Sequence, residues 1–137
     1  MFLIDTNVLS ALRRRDRYPQ IARWMSRQRA GDLYLSVVSI GEFERGIIRQ
    51  ERSNPDFARK LALWLDSVLK LYGEHILGVD LATARRWGQL SARIGNDSAD
   101  LLVAATALEH GLSVVTRNVR HFQPTGVRVI DPSAPAT

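Results

Sequence analysis

Short apolar runs alternate with amphipathic helical stripes along the whole chain, and this alternation constrains the fold more than any other feature of the sequence. Phe2 to Ile4, Leu33 to Val38, His75 to Val79, Ser113 to Thr116 and Val127 to Ile130 have the composition and length of strands. Helical patterns fill the intervals: Val8 to Arg14; Ile21, Trp24 and Met25 after Pro19; and a segment opening at Ser39-Ile40-Gly41-Glu42, which has the form of a capping box. Between Pro55 and Tyr72, Phe57, Leu61, Trp64, Leu65, Val68 and Leu69 trace one helical face that Gly73 stops. Ala84, Trp87, Leu90, Ser91 and Ile94 line a further helix. Leu101 to Leu108 is apolar nearly all round, so its helix must be buried against a sheet before Gly111 ends it. Strands that alternate with helices bury both faces of a sheet when they run parallel and the helices cross over on either side. The sequence therefore predicts an α/β fold, a three-layer α/β/α domain with a mostly parallel central sheet of four to five strands. It spans residues 1–131, followed by a short Pro- and Ala-rich tail, 132–137.

Open sheets of this kind place their sites outside the carboxyl ends of the strands. Three acids fall there: Asp5 after the first strand, Glu42 beyond the second, and Asp100 in the first turn of the buried helix. Each also has a structural reading, Asp5 as a helix cap, Glu42 as the partner in the capping box, and Asp100 as a favourable charge at a helix start. Together, carboxylates at one crevice repel one another unless a hard cation neutralises them, which points to Mg2+ or Mn2+. A cation so held can polarise a phosphodiester and activate water for in-line cleavage.

Composition narrows the chemistry further. The chain has no cysteine, which removes disulfides and thiolate zinc sites and fits a reducing, cytoplasmic setting. Asp5 interrupts the apolar start, and no apolar stretch is long enough to cross a bilayer, so no membrane association is expected. The net charge is +5, and among 19 basic residues only Lys60 and Lys70 are lysine. Arginine's planar fork suits phosphate, so an anionic polymer is the expected partner. Arg13, Arg14 and Arg15, with Arg17, form the densest basic run; they and Arg117 are candidate substrate contacts, against the alternative of a solvated helix end.

Four blocks carry a resemblance. Leu3-Ile4-Asp5-Thr6-Asn7-Val8, the run Ser39 to Gly46, Asp100 to Ala107, and Leu112 to Asn118 with its Thr-Arg-Asn end closely resemble, in order and spacing, the PIN domains of bacterial VapC toxins. The resemblance implies a PIN-like fold and a Mg2+- or Mn2+-dependent endoribonuclease that cuts structured RNA, commonly tRNA or rRNA, and blocks translation. It also implies a co-encoded VapB-type protein antitoxin whose tail occupies the active-site groove, and a homodimer. Carried over by position, Asp5, Glu42 and Asp100 are the metal-holding acids, and Thr6, Asn7 and Thr116 are polar neighbours that orient ligands or water. Many relatives have aspartate after the fourth strand where this chain has Asn118, and the residue three positions later is His121 rather than a replacement acid. Asn118 joins the catalytic set through its carbonyl, and the position for a second metal lacks its usual acid.

Other polar residues fit the fold better than the chemistry. Glu44 lies two positions from Glu42 and points away from it on a helix. Asp97 reads as a helix cap. His75, His110 and His121 have no zinc-ligand spacing, and His121 is the one candidate for a histidine base. Trp24, Trp64 and Trp87 sit on apolar stripes and read as packing residues. A receiver or phosphatase-like domain needs a lysine beside its phosphoryl group, yet Lys60 and Lys70 lie on the mid-chain helix. No P-loop is present. The remaining alternatives are a non-catalytic PIN-fold module that binds RNA or an antitoxin, and a nuclease acting on DNA.

Overall fold

The computed structural model describes residues 1–134. The chain runs β1 (Phe2–Ile4), α1 (Thr6–Ala11), α2 (Pro19–Ser26), β2 (Leu33–Ser36), α3 (Val37–Ser53), α4 (Pro55–Tyr72), β3 (Ile76–Leu77), α5 (Leu81–Ile94), α6 (Ala99–His110), β4 (Ser113–Val115), α7 (Val119–Phe122) and β5 (Val129–Ile130). The five strands form one sheet in the order β3-β2-β1-β4-β5, and every pairing is parallel. From β1 the chain builds outward through β2 and β3, then returns to add β4 on the other side of β1. The crevice of such a sheet opens where the winding reverses, at the carboxyl ends of β1 and β4.

Alternation along each strand divides the core into two. Ile4, Val115, Leu33 and Leu35 face one layer, where they pack with Val8 and Leu9 of α1, Ile21 of α2, Phe43 and Ile47 of α3, and Leu61 and Leu65 of α4. Leu3 and Val114 face the other, against Val103, Ala104 and Ala107 of α6 and Phe122 of α7. These are the three expected layers, and α6 is buried on most of its surface, as its all-round apolar sequence requires. Two aromatic contacts lock the first layer. Trp24 meets Phe2 edge-on at 5.1 Å, and Trp64 meets Phe43 at 5.0 Å.

The helix ends follow local chemistry. Asn54 Oδ1 accepts from Phe57 N (3.1 Å), with Pro55 at the first helical position of α4. At the end of α6, Gly111 takes a left-handed φ of 66°, which lets Leu112 N–H close on the Ala107 carbonyl (2.9 Å) and turns the chain straight into β4.

Several boundaries differ from the sequence expectation. The strand expected over Leu33 to Val38 ends at Ser36, and α3 begins at Val37 rather than after Ser39. Ser36 is the cap, its Oγ accepting from Val38 N (3.0 Å), so the Ser39 to Glu42 run is not a capping box. Ser39 is instead fully buried inside the first turn. The strand expected over His75 to Val79 shrinks to two residues because His75 closes a tight turn. Its ring Nδ1, not its backbone, reaches the Leu33 carbonyl (2.9 Å), while the imidazole stacks on Tyr34. Asp97 is not a cap, since Ser98 holds that position and Asn96 Oδ1 takes the Ser98 N–H (3.1 Å). In the expected tail, Ser133 folds back on Asp131 (2.6 Å from its Oγ), and residues 135–137 lie outside the described residues.

Candidate active site

Asp5 is the first residue beyond β1, and its backbone N–H still pairs with Val115 O of β4 (2.9 Å). That single bond holds it at the reversal point of the sheet. Its side chain caps α1 through Thr6 N (2.9 Å), as the helix-cap reading of Asp5 expects. Thr116, fully buried one residue past β4, donates its hydroxyl to Asp5 Oδ2 (2.8 Å). The same Oγ1 accepts from Asn118 N (3.0 Å) and Asn7 Nδ2 (3.3 Å), which uses its one proton and both lone pairs. Asn7 Oδ1 accepts from Arg117 N (3.2 Å). The two loops after β1 and β4 are thus tied together through Thr116 and Asn7.

Glu42 arrives from α3. Thr6 Oγ1 lies 2.8 Å from Glu42 Oε1 and 2.8 Å from Ser39 Oγ. A hydroxyl has one proton and the carboxylate is the stronger acceptor, so Thr6 donates to Glu42. The Ser-x-x-Glu spacing therefore serves the site through Thr6 rather than the helix end. Asp100 comes from the first turn of α6, and His121 Nδ1 lies 2.9 Å from its Oδ2.

Asp5, Glu42, Asp100 and Asn118 line one open cavity of about 430 Å³. The carboxylates feel one another there. Burial raises the Asp5 carboxyl to about 6 against the hydrogen bonds from Thr116 and Thr6, and the charges of Asp100 and Glu42 push it further up. Among the described residues no three acids or histidines already close on a single point. A cavity of this size leaves room for waters between the acids and an ion. The donor set is oxygen throughout, which suits a hard cation that keeps part of its water shell, so the residues fit Mg2+ or Mn2+.

The cavity also holds residues that the sequence reading passed over. Arg45 and Arg49 line it from α3, three and seven positions after Glu42 and hence on the same helical face. That spacing was available in the sequence. The basic run after α1 goes elsewhere. Arg13 stacks over Phe57 and Trp64, 5.1 Å and 5.7 Å from the ring centroids, and with Arg15 it lines a separate, largely apolar groove that also includes Leu12, Met25, Val68 and Leu71. Arg14 is exposed and lines neither. Arg117 sends its guanidinium over Tyr18 (4.8 Å), beside Arg17 and Arg23. None of the five arginines expected to contact substrate, Arg17 included, lines the carboxylate cavity. Glu44 is exposed and outside it, as expected.

An α/β/α domain with acids from β1, α3 and α6 converging beside the β1/β4 reversal defines a class, and the PIN-domain model matches residues 2–126. The chain belongs to that family. Within it, the chain is 29% identical to the VapC ribonuclease Y4jK of Sinorhizobium fredii, over 99% of this chain and 100% of that protein. It is likewise 29% identical to the toxin FitB of Neisseria gonorrhoeae, over 96% and 98%. A solved structure of FitAB bound to an IR36 DNA fragment superposes with a TM-score of 0.87 at 28% identity, covering 100% of this chain and 99% of that one.

Proposed function

We propose that this protein is a Mg2+- or Mn2+-dependent endoribonuclease that hydrolyses phosphodiester bonds in structured RNA such as tRNA or rRNA. In this reading it is the cytoplasmic toxin of a toxin–antitoxin pair and inhibits translation when unrestrained. The observation that carries the reading is the convergence of Asp5, Glu42 and Asp100 on one cavity, with the Asp5 carboxyl raised by burial and by the other two charges. The names of the VapC ribonuclease and of FitB support the same activity class and the toxin role.

Each residue has a defined task. Asp5, Glu42 and Asp100 would hold the cation, with Asn118 offering a neutral carbonyl at the rim. Thr116 and Thr6 fix the first two carboxylates before any ligand arrives. Arg45 and Arg49 line the same cavity and are placed to bind backbone phosphates. A divalent cation bound among these acids supplies Lewis-acid polarisation of the phosphate and activates water. No nucleophilic side chain is then required.

The groove lined by Trp64, Val68 and Leu71, with Leu71 78% exposed, suits an apolar segment of a VapB-type antitoxin, and Arg13 and Arg15 at its side favour an acidic one. We also propose a homodimer, as the family likeness implies. No helix among the described residues is long and apolar enough to cross a membrane.

The test is incubation of the partner-free protein with total tRNA, and with DNA of matching sequence, in Mg2+ or Mn2+ and in chelator. Discrete RNA fragments formed only with metal are expected. Cleavage of DNA alone would change the substrate class. RNA binding without cleavage would leave a non-catalytic PIN-fold module, with Asn118 marking the incomplete acid set.

A further inference from the structure

The three carboxylates do not share a common means of support. Thr116 holds Asp5 through its hydroxyl, and Thr6 holds Glu42. Asp100, at the start of α6, receives from neither. Among the described residues its one side-chain partner is His121, whose Nδ1 lies 2.9 Å from Oδ2. An ionised carboxylate only accepts, so the imidazole Nδ1 carries the hydrogen and donates it.

His121 is well placed to hold this geometry, although its own ring is largely exposed. It belongs to the short helix α7, and its backbone N–H bonds Asn118 O (3.0 Å). The next residue, Phe122, is completely buried against α6 and β4 and pins the turn to the same helix that presents Asp100. The distance between the imidazole and the carboxylate is therefore set by core packing rather than by surface side chains meeting by chance.

We propose that His121 is the positioning residue for Asp100, serving it as Thr116 serves Asp5 and Thr6 serves Glu42. By donating to Oδ2 it fixes the orientation of the carboxylate while lone pairs remain for a cation, and it brings this support without adding a fourth negative charge to the cavity. This rests on the reading of the cavity as a divalent-metal centre. Hydrogen-bond partners that orient ligating carboxylates govern affinity for the ion as well as geometry.

The experiment is Mn2+ binding to the metal-free full chain, followed by the electron paramagnetic resonance signal of free Mn2+, with thermal melts as a check on folding. His121→Ala should weaken Mn2+ binding about 10-fold or more. His121→Asn places an amide N–H near the position of Nδ1 and should recover most of the loss, whereas His121→Gln, whose amide mimics Nε2, should recover less. An unchanged Mn2+ affinity in a folded His121→Ala protein overturns the proposal. So does strong coupling of an imidazole nitrogen to bound Mn2+ in pulsed spectra of the unaltered chain, which would make His121 a direct ligand. Failure of the unaltered chain to bind Mn2+ would instead overturn the metal reading itself, and it would show before any variant was made.

Discussion

Asp5 carries a cost when it is charged. Its carboxyl is raised from 3.8 to about 6 because burial penalises the charge, so the folded chain holds that proton more tightly than the unfolded chain does. Metal-free stability therefore falls as pH rises from about 4 to 6 and stays lower above that, by about 3 kcal/mol. Asp5→Asn should accordingly stabilise the metal-free protein at pH 7.5 by about 1–3 kcal/mol, seen in denaturant melts with chelator. Added Mn2+ should raise the melting temperature of the unaltered chain at pH 7.5 but much less at pH 5, where Asp5 is protonated. The arginines divide in the same residue-level way. Arg45→Ala and Arg49→Ala should each weaken RNA binding and reduce its salt slope by about 1, uniformly across sequences. Arg13→Ala should leave that slope unchanged and lower stability through its lost stacking on Phe57 and Trp64. The places of these acids were legible because Asp5 follows a strand directly and Glu42 and Asp100 lie near helix starts. The spacing of Arg45 and Arg49 from Glu42 was legible too, whereas the run from Arg13 to Arg17 was not, because a run of charge says nothing of which side of a turn each side chain leaves.

Helix α4 shows how far pattern alone reaches: its stripe, the Asn54-Pro55 start and the Gly73 stop are all local signals, and the element forms where they place it. Helix α3 shows where pattern misleads. Ser-x-x-Glu has the same spacing whether its serine caps a helix or sits in the first turn, and here Ser36 supplies a competing cap. Ser36→Ala should cost about 1 kcal/mol by removing that cap, measured by denaturant unfolding. Ser39→Ala should leave the helix start intact and act instead on Glu42, through loss of the Thr6 contact, as weaker Mn2+ binding. The His121 contact was illegible for a related reason. It spans 21 residues and depends on a four-residue helix, a separation at which neither propensity nor periodicity carries information.

At the scale of the whole molecule, five parallel strands wound outward in two directions from β1 bring residues 5, 42, 100 and 118 to one cavity. The apolar groove bearing Leu71 lies apart from that cavity, which predicts that binding of a protein partner and RNA cleavage can be separated. Leu71→Asp should weaken capture of a co-expressed antitoxin in pull-downs while cleavage by the free protein is unchanged. Single-turnover cleavage of tRNA at saturating Mn2+ by the unaltered chain and by Asp5→Asn is the most direct test of the metal nuclease. The prediction is metal-dependent fragments from the first and a loss of about 10³-fold or more in the second, from a protein at least as stable as the original. Cleavage at an undiminished rate by folded Asp5→Asn would contradict it.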